Sequence, residues 1–279
     1  MIEHQAPQGS DEWHNARAGC ITASMFSVAR SKVGLLTAQQ QRYVDLLKSG
    51  GGEKYAREAA GYKAAPTAAG IATALAGGKV GEFSDAAKNY AFTLAVERIS
   101  GKPLDDGFET WQMRRGHELE PLARMAHEDV IQDMVRQVGF VSTDDGKFGG
   151  SADGFRFSNG NGCEYKCFLS PEKLRAILFD GDISGVADQC QGGLWLTGTK
   201  EWELGFYCPA LEPVGRQFTL FVLQRDEDYI ERLEGDLIEF DGLVCSYVAK
   251  LKCGGTKHFT TKPQSNARRE TAAIPESIF

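Results

Sequence analysis

From Ser84 to Ser100, apolar side chains recur at helical spacing, with Ala87, Tyr90, Ala91, Leu94 and Ile99 turned to one side. That period predicts an amphipathic helix laid against a core. Tyr229 to Lys252 repeats the pattern through Leu233, Leu237, Phe240, Val244 and Val248 and predicts a long closing helix. Thr37 to Leu47 reads as another helix, as do a stretch near 170–180 and the segment carrying Val186, Cys190, Leu194 and Trp195. Leu119, Leu122, Ala123 and Ala126 form one more stripe, and Pro121, expected in a first turn, sets that helix start near His117. Strands are expected around Trp202 to Cys208 and Gln217 to Gln224, and a hairpin over Gly150 to Lys166 closes at Ser158-Asn159-Gly160-Asn161-Gly162. Residues 49–82 are rich in Gly and Ala, broken at Gly50-Gly51-Gly52 and Gly77-Gly78, and read as an insertion. Residues 254–279 are polar and read as a tail, leaving 1–253 as a single domain. Helices around a hairpin-rich mixed sheet predict an α/β architecture with the sheet in the middle.

Composition narrows the class without naming a chemistry. A chain of 279 residues, 42% hydrophobic, can bury a sizeable core. No apolar run reaches transmembrane length and the N-terminus lacks a basic and apolar signal pattern, so a cytoplasmic protein without membrane contact is expected. The seven cysteines are odd in number and lack zinc-type pairing; Cys163 and Cys167 read as small buried apolar groups in a reducing compartment. His4, His14, His117, His127 and His258 show no metal-ligand spacing and receive no role. A net charge of −7 argues against a broad DNA-coating surface. It leaves room for a narrow, locally basic channel, for which Arg17, Arg30, Lys32, Arg114 and Arg115 are the candidates.

The chemistry concentrates in Gly150-Ser151-Ala152-Asp153-Gly154 and Glu164-Tyr165-Lys166. On a strand, Glu164 and Lys166 share a face while Tyr165 points away. The hairpin brings Asp153 on the neighbouring strand within reach of Glu164. Two carboxylates that close resist ionisation unless a cation lies between them, and hard oxygen donors select Mg²⁺, with Mn²⁺ as a substitute. Such a site suits metal-assisted phosphodiester hydrolysis, with Lys166 positioning the attacking water or stabilising the phosphate. Glu120, beside the apolar stripe of its helix, supplies a third acid or is only a charge capping the helix start. The plain alternative for the hairpin is a solvated turn with a chance Glu-x-Lys pair.

With these residues in view, the chain resembles the phage lambda-type exonucleases, the YqaJ viral recombinase family within the restriction-endonuclease-like nucleases. Asp11 to Ser24, containing Trp13, Arg17 and Ile21-Thr22-Ala23-Ser24, resembles the family's N-terminal signature. Gly116 to Glu120 resembles its helical Gly-x3-Glu, Ser151 to Gly154 with Glu164 to Cys167 its core hairpin, and Asp188 to Trp195 its Gln-x-Gln helix. Arg225 to Tyr229 resembles the charged strand end that follows. The resemblance implies a restriction-endonuclease-like core in which Asp153, Glu164, Glu120 and the Tyr165 backbone carbonyl hold the metal and Lys166 is the catalytic lysine. It implies that Arg17, Ser24, Ser151 and Gln189 bind the 5′-phosphate of a DNA end, and that Met113 is an apolar wedge splitting the terminal base pairs. The activity implied is a Mg²⁺-dependent, processive 5′→3′ exonuclease acting on double-stranded DNA ends and leaving 3′ single strands for recombination. Also implied are a homotrimeric ring, a single-strand annealing protein as partner and, for a phage-encoded chain, the bacterial host cytoplasm.

Other readings stand beside these. Trp13 reads as a core anchor. Ser24 could cap the helix from Met25 to Arg30, with or without a phosphate contact. Gln189 in a helix is ordinarily solvated, although Val186, Cys190, Leu194 and Trp195 place apolar surface nearby. For the whole chain, an endonuclease on the same core and a non-catalytic DNA-end-binding module are the alternatives. The four-residue phosphate set speaks against the first, and intact Asp153, Glu164 and Lys166 against the second.

Overall fold

The computed structural model describes residues 1–104, 111–167 and 170–255, and of residues 112 and 113 the helical backbone alone. The chain opens with β1 (Ile2–His4), α1 (Asp11–Arg17), β2 (Ile21–Thr22), α2 (Phe26–Ala29) and β3 (Lys32–Val33). Next come α3 (Ala38–Lys48), α4 (Glu53–Ala59), α5 (Ala69–Leu75), β4 (Glu82–Phe83) and α6 (Asp85–Ser100). Then α7 (Trp111–Ile131) leads into β5 (Val135–Arg136), β6 (Phe140–Ser142), β7 (Phe148–Gly150), β8 (Gly154–Arg156) and β9 (Gly162–Lys166). The remainder is α8 (Pro171–Arg175), α9 (Ala187–Thr197), β10 (Glu201–Tyr207), β11 (Phe218–Gln224) and α10 (Glu227–Cys253).

Helix boundaries follow their capping residues. Thr37 and Gln40 form a reciprocal capping box on α3, Ser84 accepts from the Ala87 amide ahead of α6, and Asp226 accepts from the Tyr229 amide ahead of α10. Gly101 ends α6 in the left-handed conformation, where a side chain would be strained. Within α6, Ala87, Ala91, Leu94 and Ala95 are buried, but Ile99 is 44% exposed, one turn too far for the shared core. α7 departs further from expectation. It starts at Trp111, so Pro121 lies inside the helix rather than in its first turn. Glu120 is consequently mid-helix, and the dipole argument for it as a capping charge does not apply.

The α/β class holds, with the strands divided between two mixed sheets rather than gathered in one. The four-stranded sheet runs β1-β6-β7-β2, with β7 and β2 parallel; the five-stranded sheet runs β11-β10-β9-β8-β5, with β9 and β10 parallel. β3 and β4 pair separately. α9 contacts strands of both large sheets, and α7 covers β9, β10 and β11. α10 packs on α6 and α9 through Leu233, Leu237, Phe240 and Val244, all buried. Trp202 of β10 anchors the second core cluster with Leu194, Leu204 and Phe206. Glycine is needed on both sides of its ring: a Cβ on Gly162 would lie 2.2 Å from it, and one on Gly193 2.4 Å. The Gly- and Ala-rich stretch forms α4 and α5, which build a small core of their own with Tyr43 and Val44 of α3.

Candidate active site

The segment carrying the candidate acids crosses from one sheet to the other. β7 ends at Gly150 in the four-stranded sheet and β8 begins at Gly154 in the five-stranded one, so Ser151 and Asp153 occupy the crossing. β8 then pairs antiparallel with β9, Gly154 opposite Cys163. The connecting turn uses Gly160 at φ +74° and an Asn159 side chain that accepts from the Asn161 amide at 2.9 Å. The Asp153 amide donates to the Cys163 carbonyl at 3.0 Å, and Asp153 Oδ2 accepts the Tyr165 amide at 2.6 Å. This clamps the Asp153 carboxylate beside the Glu164 position of β9.

Glu164 and Lys166 share the same face of β9, and α9 delivers Gln189 between them. Lys166 Nζ donates to Glu164 Oε1 at 2.7 Å and to Gln189 Oε1 at 2.9 Å, while Gln189 Nε2 donates to Glu164 Oε1 at 2.7 Å. Glu164 is buried and Glu120 half-buried, with His117 Nδ1 3.8 Å from Glu120 Oε2. Burial lifts the Asp153 carboxyl well above the usual carboxylate range, and the charges of Glu164 and Glu120 lift it further. Burial also raises Glu120, with Glu164 adding to the effect and His117 opposing it. Burial alone would lower Lys166, but Glu164 outweighs it and holds the group above its ordinary value, an ammonium and hence a donor rather than a base.

This donor set fits a hard divalent cation. One oxygen of each of two acids is fixed by a protein donor, Oδ2 of Asp153 and Oε1 of Glu164. Among the described residues no donor reaches Asp153 Oδ1 or Glu164 Oε2, which leaves one oxygen of each to a ligand. Three mutually repelling carboxylates around one point are relieved by a positive ion there. A stability consequence follows. With its pKa raised, Asp153 keeps a proton in the folded, metal-free protein at pH values where the unfolded chain has released it. Folding stability therefore drops as pH climbs from the ordinary carboxylate range towards the raised value. Mg²⁺ removes that repulsion, so the gain in melting temperature on adding it should be larger at about pH 8 than at about pH 5. Calorimetry at both pH values checks this; equal gains would contradict the grouping of the three acids.

A second group of residues adjoins the first. Trp13 Nε1 donates to Ser151 Oγ at 3.0 Å, and the Arg17 guanidinium lies 3.9 Å from the centre of the Trp13 ring. Trp13 is thus half-buried at the site rather than an anchor of the core, and it positions two of the expected phosphate-binding residues. Burial lowers the Arg17 pKa, against Tyr90, Cys20 and Glu97, yet an arginine remains charged at neutral pH. Among the described residues the Arg17 guanidinium makes no ion pair or hydrogen bond. Ser24 is exposed in a short 3-10 turn (Ala23–Met25), 3.4 Å from Thr22 Oγ1, and it caps no helix: α2 begins without a side-chain cap. Gln189 is committed to Glu164 and Lys166. The Met113 side chain lies outside the described residues. Of the other basic candidates, Arg30 pairs with Asp188 and Asp236, Lys32 with Glu239, and Arg115 with Glu118. Arg17 is the candidate best placed for an added anion.

Sequence reasoning gave no role to His127 or Glu203. Both are buried behind β9, His127 Nδ1 2.9 Å from the Tyr165 hydroxyl and Nε2 3.0 Å from Glu203 Oε2. Nothing local marks them: His127 is followed by Glu128 and Asp129, and Glu203 follows Glu201 at ordinary strand alternation.

Known proteins resemble the chain in family and in fold. A family model described as a YqaJ-like viral recombinase domain matches residues 12–200. The crystal structure of an alkaline exonuclease, LHK-Exo from Laribacter hongkongensis, superposes with a TM-score of 0.61 at 20% identity, over 87% of this chain and 96% of that one. A structure of LHK-Exo in complex with dAMP gives the same TM-score at 21% identity over the same shares of the two chains. At this level of identity the likeness establishes the fold. No curated protein matches the chain in sequence.

Proposed function

The chain belongs to the YqaJ-like viral recombinase family, and from that premise we propose that it is a Mg²⁺-dependent, processive 5′→3′ exonuclease on double-stranded DNA ends. One observation carries the reading: Asp153, Glu164 and Lys166 converge with one oxygen of each acid left open and the ammonium bonded beside them. Asp153, Glu164, Glu120 and the Tyr165 carbonyl are the groups that would hold Mg²⁺, with Mn²⁺ as a substitute. When bound, the ion supplies Lewis acidity to the scissile phosphate and offsets charge on the leaving oxygen.

The chain's own residues do the rest. Glu164 and Gln189 hold Lys166 Nζ where its protons can orient a water for attack or bind a phosphoryl oxygen as charge develops. Arg17, braced on Trp13, meets the terminal 5′-phosphate with charge-assisted hydrogen bonds, and Ser151 and Ser24 add hydroxyl donors. Gln189 joins the two groups, since it touches the catalytic pair from the helix that the Ser24 turn contacts. Met113 on α7 is proposed as the strand-separating wedge. By family analogy the proposal extends to a homotrimer around duplex DNA, a single-strand annealing protein as partner and the cytoplasm of a bacterial host as location.

The test reads end recognition directly. Arg17→Ala should lower degradation of a 5′-phosphorylated duplex by about tenfold or more, the scale of a lost charged hydrogen bond, and leave a 5′-hydroxyl duplex nearly unaffected. Equal losses on both substrates would remove the phosphate pocket from the proposal.

A further inference from the structure

Alternation along β9 sends Glu164 and Lys166 to the catalytic face and Cys163 and Tyr165 to the reverse one. On that reverse face, behind the acids, we infer a second cation site in which His127 Nε2, Cys163 Sγ and Glu203 Oε2 bind a borderline metal ion such as Zn²⁺. The site is distinct from the Mg²⁺ site and does not depend on the exonuclease reading.

Geometry, orientation and donor chemistry argue for it together. The three donor atoms lie within 4.8 Å of one another and all three residues are buried. Nε2 is 3.0 Å and Sγ 4.0 Å from Glu203 Oε2. Donors around tetrahedral zinc sit roughly 3.3–3.6 Å apart, so from these 3.0 and 4.0 Å separations the nitrogen–oxygen pair opens slightly and the sulfur–oxygen pair closes by about 0.5 Å. His127 is fully buried, and its Nε2, although close to Oε2, is not aligned with it and has no hydrogen-bond partner. Such an atom is costly unless something else satisfies it.

The surrounding groups leave these three atoms free for the ion. The Tyr165 hydroxyl holds the other ring nitrogen of His127 at 2.9 Å, as second-layer partners do for metal-bound histidines. Arg156 and Asn161 both bond to Glu203 Oε1, at 3.2 and 3.1 Å, and so leave Oε2 unoccupied by them. Arg156 is itself neutralised by Asp133 at 2.9 Å. The Asn161 carbonyl accepts from the Cys163 thiol at 3.7 Å and from the Arg156 amide at 2.8 Å, so the fourth position falls to a water. A nitrogen, a sulfur and an oxygen select zinc over magnesium. On binding, Cys163 gives its proton to solvent, and the thiolate and the carboxylate together balance the charge of the ion. The bound ion would tie α7, β9 and β10 together directly behind the catalytic strand.

The test uses the full chain, stripped of metal and dialysed against Zn²⁺ in excess Mg²⁺. Retention of about one zinc per chain is expected. Cys163→Ser should weaken it at least about tenfold, with Asp153→Asn leaving it unchanged. Cobalt added in place of zinc should give the near-ultraviolet absorption of a thiolate ligand in the wild type and in Cys167→Ser. That reading keeps the test decisive even if Cys163→Ser fails to fold. Absence of the cobalt–thiolate band in the wild type would overturn the site. So would zinc retention that is lost in Asp153→Asn but kept in Cys163→Ser.

Discussion

Lys166→Ala should lower the hydrolysis rate by about 10²–10³-fold, the scale of losing one positioned donor to a developing oxyanion, with DNA binding and folding close to normal. The ammonium is bonded to Glu164 Oε1 and Gln189 Oε1, and Glu164 keeps it charged despite burial. In the proposed reaction it acts as a donor at the reacting phosphate, and it is not spent on holding the strand, whose ladder is made by backbone groups. Removing it leaves Glu164 Oε1 still bonded by Gln189, so the proposed metal ligands keep their places. Single-turnover digestion of a 5′-phosphorylated duplex measures the loss; a rate within a few-fold of wild type would take Lys166 out of the chemistry.

Asp153→Asn should move two quantities in opposite directions. The amide still accepts from the Tyr165 backbone through its oxygen but carries no charge. Mg²⁺ affinity should fall by about tenfold or more, as expected for a lost charged ligand. In the absence of metal the variant should be more stable than wild type above the ordinary carboxylate range, because burial and the charges of Glu164 and Glu120 no longer penalise an ionised side chain there. Calorimetric Mg²⁺ titration and metal-free melting, run on the same preparations, test both. A parallel fall in affinity and metal-free stability would point to a structural role for Asp153 instead of a ligand role.

The hairpin of the candidate site was legible in the sequence because strand period and turn chemistry act locally. Two residues of spacing put Glu164 and Lys166 on one face, and Gly160 with Asn159 closes the turn that returns β9 beside Asp153. Glu120 was legible by chemistry but not by position. Pro121 looked like a helix start, yet packing of α7 on β9 and β10 carries the helix through it. Trp13 looked like core because its bulk is apolar; its indole N–H instead finds Ser151, a contact across 138 residues of chain. The His127–Cys163–Glu203 group was invisible for the same reason. It exists only because β10 pairs in parallel with β9, Glu203 opposite Cys163, under α7. No spacing rule on a single segment reports such a meeting.

End-directed, metal-dependent hydrolysis is read on a linear duplex labelled separately on each strand, with and without 5′-phosphates, digested in Mg²⁺ and in EDTA beside a covalently closed circle. Metal-dependent loss of the 5′-phosphorylated strand from its end, survival of the complementary strand and an intact circle are expected. Cleavage of the circle would contradict the end-directed reading, and degradation that persists in EDTA would contradict the metal site itself.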